Sequence, residues 1–463
     1  MPARYDTIVI GAGQSGPSLA DRLVKSGQAV AVIERQHFGG TCVNTGCVPT
    51  KTLVASAYVA HMARRAADYG VGAGPISIDM KQVKARKDAI VEKSRGGVAS
   101  WMERRTKVYR GHARLTGPRS VVVNDEVLET DRIIINTGGR ASVPPLPGLE
   151  SVPYLTNSSL LDLETVPEHL VIVGGSYIGL EFAQIFRRFG AQVSVIEMGD
   201  RLIAREDQDV SEAVREILAA EGINIHLKAT CLAVERDGTG IAVKADCSTG
   251  SARVRGSHLL IAVGRRPNTD DLGLEAAGVK TDDKGYIIVD DQCRTNVEGI
   301  WAMGDVNGRG AFTHTSWNDY EVVAANMLDN DPRRVSDRIS CYGLFIDPPL
   351  GRVGMTERQV REKGVKALSG KLAMTSVGRA RERGETLGFM KVTVEESTKK
   401  ILGAAILGVG GDEVVQTFLP IMAAGLPFTA ISRVMLIHPT VTEFLPTLLD
   451  DLKPLDESSS SGT

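Results

Sequence analysis

Apolar positions along the chain change period several times, and each change marks an element. Thr7-Ile8-Val9-Ile10 is a short β-branched run, which predicts a buried strand. A glycine-rich turn follows, Gly11-Ala12-Gly13-Gln14-Ser15-Gly16, after which Leu19, Leu23 and Val24 recur at helical spacing up to Gly27. A second apolar run from Ala29 to Ile33 ends in Glu34. Strand, glycine turn, helix, strand and acid, in that order, form a dinucleotide-binding unit. Gly11, Gly13 and Gly16 let the backbone approach a pyrophosphate at a helix N-terminus, and Glu34 can accept from a ribose hydroxyl.

The same pattern returns later. Leu170-Val171-Ile172-Val173 leads into Gly174-Gly175-Ser176-Tyr177-Ile178-Gly179, then a helix through Phe182, Ile185 and Phe186, then Val193-Ser194-Val195-Ile196-Glu197. In both copies the first glycine and the acid are 23 positions apart (11 to 34, 174 to 197). Two such units imply two nucleotides. Ser176 stands where the middle glycine usually is, a side chain small enough to keep the approach open. Glu197 suits the free 2′-hydroxyl of NADH and repels the 2′-phosphate of NADPH. Arg201 nearby pulls the other way, and NADH is favoured over NADPH.

Between the copies, residues 81–105 predict a polar helix and a β-rich return follows, with Pro144, Pro145 and Pro147 marking a linker. A second linker falls at residues 263–268. From about Val335 the composition changes to apolar strands alternating with helices. Residues 414–432 carry no charge over about the length of a membrane helix. Gln416, Thr417, Pro420, Gly425 and Pro427 argue instead for a buried helix and turn.

With 463 residues the chain has room for about three domains of ordinary size. A net charge of -2 with no basic run leaves no electrostatic footprint for nucleic acid or an anionic membrane. The N-terminus enters its first strand without a signal-peptide pattern, and the last residues, 456–463, read as a disordered tail. Of six cysteines, Cys231, Cys247, Cys293 and Cys341 are scattered without metal-ligand spacing. That leaves one special pair, Cys42 and Cys47, in a reducing cytoplasm.

Two residues five apart in an ideal α-helix have Cα atoms roughly 8 to 9 Å apart, and a disulfide needs less than about 7 Å. If Cys42 and Cys47 close, the segment between them is not regular helix. Gly46 permits the break, and Pro49 suits the first turn of a helix running through Leu53, Val54, Ala57 and Tyr58. Cys47 then sits at a helix N-terminus, which favours its thiolate. A pair of reduced buried cysteines is the plainer reading. Near the C-terminus, Ile437-His438-Pro439-Thr440-Val441-Thr442-Glu443 offers a histidine with a carboxylate to orient it, the proton carrier that thiol–disulfide exchange needs. Thr440-x-x-Glu443 also has the spacing of a capping box, which would give Glu443 only a helix to close.

The string from Gly39 to Lys51 closely resembles the active-site segment of the flavoprotein disulfide reductases, the class I pyridine nucleotide-disulfide oxidoreductases that include glutathione reductase, dihydrolipoamide dehydrogenase and mercuric reductase. The resemblance extends through Arg110-Gly111-His112-Ala113, Asn136-Thr137-Gly138 (with Asn136 for the usual alanine), Gly264-Arg265, Gly304-Asp305 and the histidine stretch. It implies an α/β fold with two Rossmann-like dinucleotide-binding domains, for FAD and then NAD(P), and an α+β C-terminal dimerisation domain. The corresponding division is 1–144 and 266–334 for FAD, 145–265 for NAD(P) and 335–455 for dimerisation.

By the same resemblance, Cys42 and Cys47 form the redox-active disulfide, with Cys42 exchanging with substrate and Cys47 facing the flavin. Thr41 and Ala113 line the FAD site, Thr137 and Gly138 close its first segment, and Asp305 binds the ribitol chain. Lys51 and Glu181 pair beside the flavin, Tyr177 covers the nicotinamide pocket, and His438 with Glu443 serves the partner subunit of a homodimer. The implied activity is transfer of electrons from NAD(P)H through FAD to a small disulfide. Residues 312–321 lack the basic residue of glutathione reductases. No cysteine follows Cys341, unlike the vicinal C-terminal pair of mercuric reductases. Dihydrolipoamide dehydrogenase and a metal-ion reductase of mercuric- or copper(II)-reducing type remain as alternatives. A flavin reductase that has no use for Cys42, and a flavin-binding protein without catalysis, are the competing classes.

Overall fold

The computed structural model describes residues 2–247 and 250–455, so the serine-rich tail at 456–463 lies outside the described residues. The first apolar runs become strand β1 (Ala3–Ile10), helix α1 (Gly16–Lys25) and strand β2 (Val30–Glu34), paired in parallel from Thr7↔Val30 to Ile10↔Ile33. Helices α2 (Gly40–Asn44), α3 (Cys47–Arg64) and α4 (Met80–Arg105) follow. The β-rich return consists of β3 (Lys107–Arg110), β4 (Ala113–Gly117), β5 (Ser120–Val123) and β6 (Glu126–Ile135). Strand order is β3-β2-β1-β6-β5-β4. Apolar side chains cover both faces of this sheet, as a largely parallel sheet requires.

Next come β7 (Gly139–Ala141), α5 (Asn157–Leu160), β8 (His169–Val173), α6 (Tyr177–Phe189) and β9 (Gln192–Ile196). After α7 (Gln208–Ala220) lie β10 (Asn224–His226), the antiparallel trio β11 (Thr230–Asp237), β12 (Gly240–Cys247) and β13 (Gly250–Gly256), and β14 (His258–Ile261). The second parallel sheet has the order β10-β9-β8-β14. The two proline- and arginine-rich linkers are more than linkers. β15 (Arg265–Pro267) pairs antiparallel with β7, so the two connections between the sheets form one ribbon.

Strand β16 (Ile300–Ala302) returns to the first sheet and pairs in parallel with the end of β6, Ile300↔Ile133 to Ala302↔Ile135. Helix α8 (Thr313–Ala324) follows. The C-terminal part is an antiparallel six-stranded sheet that includes β17 (Cys341–Leu344) and β18 (Leu350–Gly354). Residues 414–432 form short helical pieces broken at Gly425, which has φ +64°, and they are only half-buried, because Pro420, Ala423, Ala424 and Leu426 are exposed. The expectation of a buried helix is thus corrected: the broken helix keeps only one face on the core. No helix of the described residues is long and apolar enough to cross a membrane.

Three parts of the chain share one core. Leu53 and Ala57 of α3 pack with Phe182, Ile185 and Phe186 of α6 and with Leu344, Leu350 and Phe389 of the C-terminal sheet. Burying each such large side chain stabilises the fold by about 1.5 to 3 kcal/mol. This core also sets α3 against α6, so the residues at their N-terminal ends meet.

Candidate active site

Parallel sheets present ligands to the carboxyl ends of their strands. At those ends of the first sheet stand Gly11 after β1, Glu34 at the end of β2, Asn136-Thr137-Gly138 after β6 and Gly304-Asp305 after β16. They face a cavity of about 830 Å³ that runs from Glu34, His112 and Ala113 to Lys51, Cys47 and Tyr177.

The glycine turn is tight for a physical reason. Gly11 has φ +101°, and a Cβ there would lie 2.3 Å from the Asn136 carbonyl oxygen. Gly174 matches it at φ +117°, with the Ala262 carbonyl oxygen 2.4 Å from its would-be Cβ. Ser176 has extended backbone (φ -114°, ψ -174°), which explains why no glycine is needed there. The repeat extends to the acids. Glu34 accepts from Ala12 N–H at 2.9 Å and from Gln36 N–H at 2.8 Å. Glu197 accepts from Gly175 N–H at 2.5 Å and from Gly199 N–H at 2.7 Å. Gly16, the first residue of α1, and Gly179, the third of α6, lie close against Gly11 and Gly174, respectively. Gly174, Gly179 and Glu197 lie at the second turn, outside the main cavity wall.

Asn136, noted only as a departure from the usual alanine, fastens the first turn. Its Nδ2 donates to the Gly11 carbonyl at 3.1 Å, and its Oδ1 accepts from the Ser15 hydroxyl at 2.7 Å. Thr137 donates to the Asn268 carbonyl at 2.9 Å, and the Gly138 carbonyl accepts from Asn268 N–H at 3.0 Å, which ties this turn to the ribbon. Arg265 gathers two other expected residues: Nη2 reaches the Thr41 hydroxyl at 3.3 Å, and Nε is 3.6 Å from Asp305 Oδ2. Burial pushes the Asp305 carboxyl up, against the opposing pull of Arg265. Gly264 (φ +132°) and Gly304 (φ +73°) turn the chain beside these side chains without lining the cavity.

At the inner end, Gly46 separates α2 from α3 and Cys47 is the first residue of α3, so the helix break falls where expected. Cys42 and Cys47 are free thiols, the reduced form of the pair rather than the bridged one. The hydrogen bond from Cys42 lowers the Cys47 thiol to about 6; Thr313 and Lys51 add to this, while burial opposes it. Cys42 is raised, by that same hydrogen bond and by burial. The proton therefore resides on Cys42 and the charge on Cys47. The Thr313 hydroxyl is 3.3 Å from Cys47 Sγ. Sequence reasoning missed this residue, although it lies in the stretch read only for acceptor specificity.

Lys51 Nζ is 2.6 Å from Glu181 Oε2 and 4.5 Å from the centre of the Phe345 ring. The other Glu181 oxygen accepts from Phe345 N–H at 3.0 Å. Tyr177 lines the cavity with its ring edge-on to Phe312 at 6.0 Å and to Tyr342 at 5.8 Å.

The histidine end is elsewhere. His438 Nδ1 is 2.9 Å from Glu443 Oε2 and 3.1 Å from Oε1. Thr440 Oγ1 accepts from Glu443 N–H at 3.2 Å, so half of the capping box forms, but the Glu443 carboxylate goes to the imidazole. The His438 side chain is 81% exposed and is no part of the cavity wall. Its neighbours Met435 and Ile437 are 99% and 79% exposed.

Comparison with known proteins accounts for this geometry. Residues 5–319 match the family model of pyridine nucleotide-disulphide oxidoreductases, and residues 341–449 match that family's dimerisation domain. The chain belongs to this family. It is 35% identical to the probable pyridine nucleotide-disulfide oxidoreductase RclA of Escherichia coli (strain K12), over 97% of this chain and 100% of that one. It is also 35% identical to a mercuric reductase of Streptomyces lividans (95% and 94%) and 33% identical to a dihydrolipoyl dehydrogenase of Bacillus subtilis (strain 168) (96% and 95%). A solved Cu(II) complex of the HOCl-induced flavoprotein disulfide reductase RclA superposes with a TM-score of 0.88 at 34% identity, covering 96% of this chain and 99% of that one.

The protein is thus an FAD-dependent disulfide oxidoreductase, and its residues fit the flavin nucleotide. Gly11 and Gly13 leave backbone open on the cavity wall, Glu34 stands at one end, and Lys51 and the Cys47 thiolate stand at the other. Among the described residues, no group of three or more His, Cys, Asp or Glu side chains could hold a metal ion.

Proposed function

We propose that this oxidoreductase passes electrons from NADH through FAD to the Cys42–Cys47 pair and on to a small disulfide acceptor, in a homodimer whose sites are shared between subunits. The observation that carries the reading is His438 held by Glu443 through Nδ1, with its Nε2 side turned to solvent. A general acid–base is poised there, and among the described residues it lies outside the cavity wall that holds Cys42 and Cys47. The dimer supplies it with a thiol if the exposed Met435 and Ile437 stretch is part of the subunit interface.

When bound, FAD supplies a two-electron relay between the nicotinamide and the thiol pair. The other tasks fall to this chain. Lys51, held by Glu181, keeps positive charge beside Cys47 and supports its thiolate. His438 of the partner subunit takes the proton from Cys42, whose sulfur attacks the acceptor disulfide. A mixed disulfide forms on Cys42, one thiolate leaves, and His438 returns the proton to it. The Cys47 thiolate then attacks the Cys42 sulfur, which re-forms the Cys42–Cys47 bond and releases the second thiolate. The two electrons of NADH end on two product thiols.

The Glu197 carboxylate, fixed beside the second glycine turn, supports NADH over NADPH. Arg201, whose Nε is buried without a hydrogen-bond partner, is the feature that speaks for a 2′-phosphate. A metal-ion acceptor is the second reading. The solved RclA structure is a Cu(II) complex and mercuric reductases are among the relatives, so the same dithiol could ligate and reduce an ion without His438.

The test is NADH and NADPH consumption by the purified holoenzyme with lipoamide, small organic disulfides, Hg(II) and Cu(II), run beside Cys42→Ser and His438→Ala. Turnover of a disulfide that fails in both variants supports the proposal. Turnover of metal ions alone, with Cys42 required and His438 dispensable, replaces it with the second reading.

A further inference from the structure

The cavity wall at Tyr177 contains residues that this mechanism leaves without a task. Tyr342 of β17 and Arg352 of β18 are directly opposite each other in the antiparallel register, so both project from one face of the sheet, and both line the cavity. Arg352 is 2% exposed; its Nε is 3.0 Å from Glu206 Oε2, its Nη2 bonds the same oxygen, and Nη2 is 3.3 Å from Asp207 Oδ2. Glu206 is wholly buried, and its other oxygen, Oε1, has no hydrogen-bond partner. The Tyr177 hydroxyl is likewise buried without one.

Tyr342 stands between these two groups. Its ring meets Tyr177 edge-on at 5.8 Å and an interplanar angle of 90°. Burial and the Glu206 carboxylate together push its phenol up. On its other side Tyr342 stacks on Phe312 (5.7 Å, 9°), and Phe312 stacks on His314 (5.4 Å, 10°), whose Nε2 bonds the Cys341 carbonyl at 2.7 Å. A buried arginine–carboxylate pair contributes little net stability compared with apolar packing, but it fixes direction. Here Arg352 holds one oxygen of Glu206, and the other is left without a hydrogen-bond partner.

We propose that Tyr342, backed by the Arg352–Glu206 pair, is a positioning residue that latches Tyr177 closed over the nicotinamide entrance and so sets the apparent affinity for the reduced nucleotide. The proposal rests on the reading of Tyr177 as the cover of that entrance. A ring that must leave before the nicotinamide can enter lowers apparent affinity by the fraction of time it is open. Loosening the latch therefore strengthens NADH binding. Tyr342 acts through Tyr177 and does not touch the thiols.

The experiment is steady-state kinetics of the FAD-loaded dimer over a range of NADH concentrations, for Tyr177→Ala, Tyr342→Phe, Tyr342→Ala and the double variant Tyr177→Ala/Tyr342→Ala. Tm is measured on each variant to establish folding. KM for NADH is expected to stay near the wild-type value in Tyr342→Phe, which keeps the ring against Tyr177, and to fall by up to about tenfold in Tyr342→Ala, which removes it. The change in kcat is expected to be smaller than the change in KM. Because the latch works through Tyr177, the double variant is expected to match Tyr177→Ala alone. Additive effects, or a KM that stays level or rises in the folded Tyr342→Ala variant, would overturn the latch and leave the cover reading standing. A Tyr177→Ala enzyme with unchanged KM for NADH would remove the cover reading and the latch together.

Discussion

The thiol end of the site is given its partners by its own chain, whereas the histidine end is turned outward. Around Cys47 stand Cys42 and Lys51 from its own segment and Thr313 from the start of α8. Around His438, among the described residues, Glu443 is its hydrogen-bond partner, and the ring faces solvent beside exposed apolar residues. In the proposed mechanism one chain stores the charge on its thiols, and the acid–base step falls to the assembly.

Perturbing each end separately sharpens the contrast. Replacing Cys42 by serine removes the attacking sulfur, and disulfide-dependent NADH oxidation is expected to fall by at least about 10³-fold. His438→Ala leaves both thiols in place and is expected to cost roughly 10² to 10⁴-fold, the range for loss of a general acid–base. Anaerobic reduction of the bound flavin by NADH is expected to persist in that variant. If rapid-mixing absorbance showed the flavin step equally slowed, the two ends would not be separable as described.

Ile437→Asp puts a charge on the exposed apolar stretch without changing the thiols. Sedimentation is expected to show monomer, with disulfide turnover lost and NADH binding kept. A dimer of wild-type activity would remove this stretch from the interface. Lys51→Ala breaks the pair at the thiol end and leaves the Glu181 carboxylate with Phe345 N–H as its remaining partner. The expected destabilisation is about 1 to 3 kcal/mol, measured by denaturant unfolding.

The smallest effect is a titration. With the Cys47 thiol lowered to about 6, its thiolate is present above that pH and is lost as pH falls through it. Alkylation of the reduced enzyme by iodoacetamide, followed at Cys47, is expected to show that midpoint. A midpoint near 8.5, the ordinary thiol range, would mean that Cys42, Thr313 and Lys51 do not act on Cys47 as their positions indicate.

Much of this was legible in the sequence because the nucleotide turns and the thiol segment are local. The strand, glycine turn and helix around Gly11 and Gly174 follow from backbone sterics within a few residues, and the break at Gly46 follows from the need to leave helical geometry. The His438–Glu443 contact was readable locally, five positions apart, whereas the Lys51–Glu181 contact was readable through resemblance, since 130 positions separate that pair. What escaped was long-range. Thr313 beside Cys47 is 266 positions away, and nothing in its own neighbourhood marks it. Asn136 could have been found, because a polar side chain in place of alanine next to a glycine turn demands partners, which it has in Gly11 and Ser15. The two linkers could not have been paired from sequence, because β7 and β15 are three residues each and their register depends on the sheets they join.

The most direct test is complementation between two inactive variants. Cys42→Ser and His438→Ala enzymes are mixed, dissociated and reassociated, and disulfide-dependent NADH oxidation is measured against unmixed controls. If each site takes its thiols from one subunit and its histidine from the other, half the dimers are mixed and each has one intact site. Recovery is then expected at about a quarter of wild-type activity. If mixed dimers form and activity stays at the level of the single variants, His438 does not act across the interface and the account is contradicted.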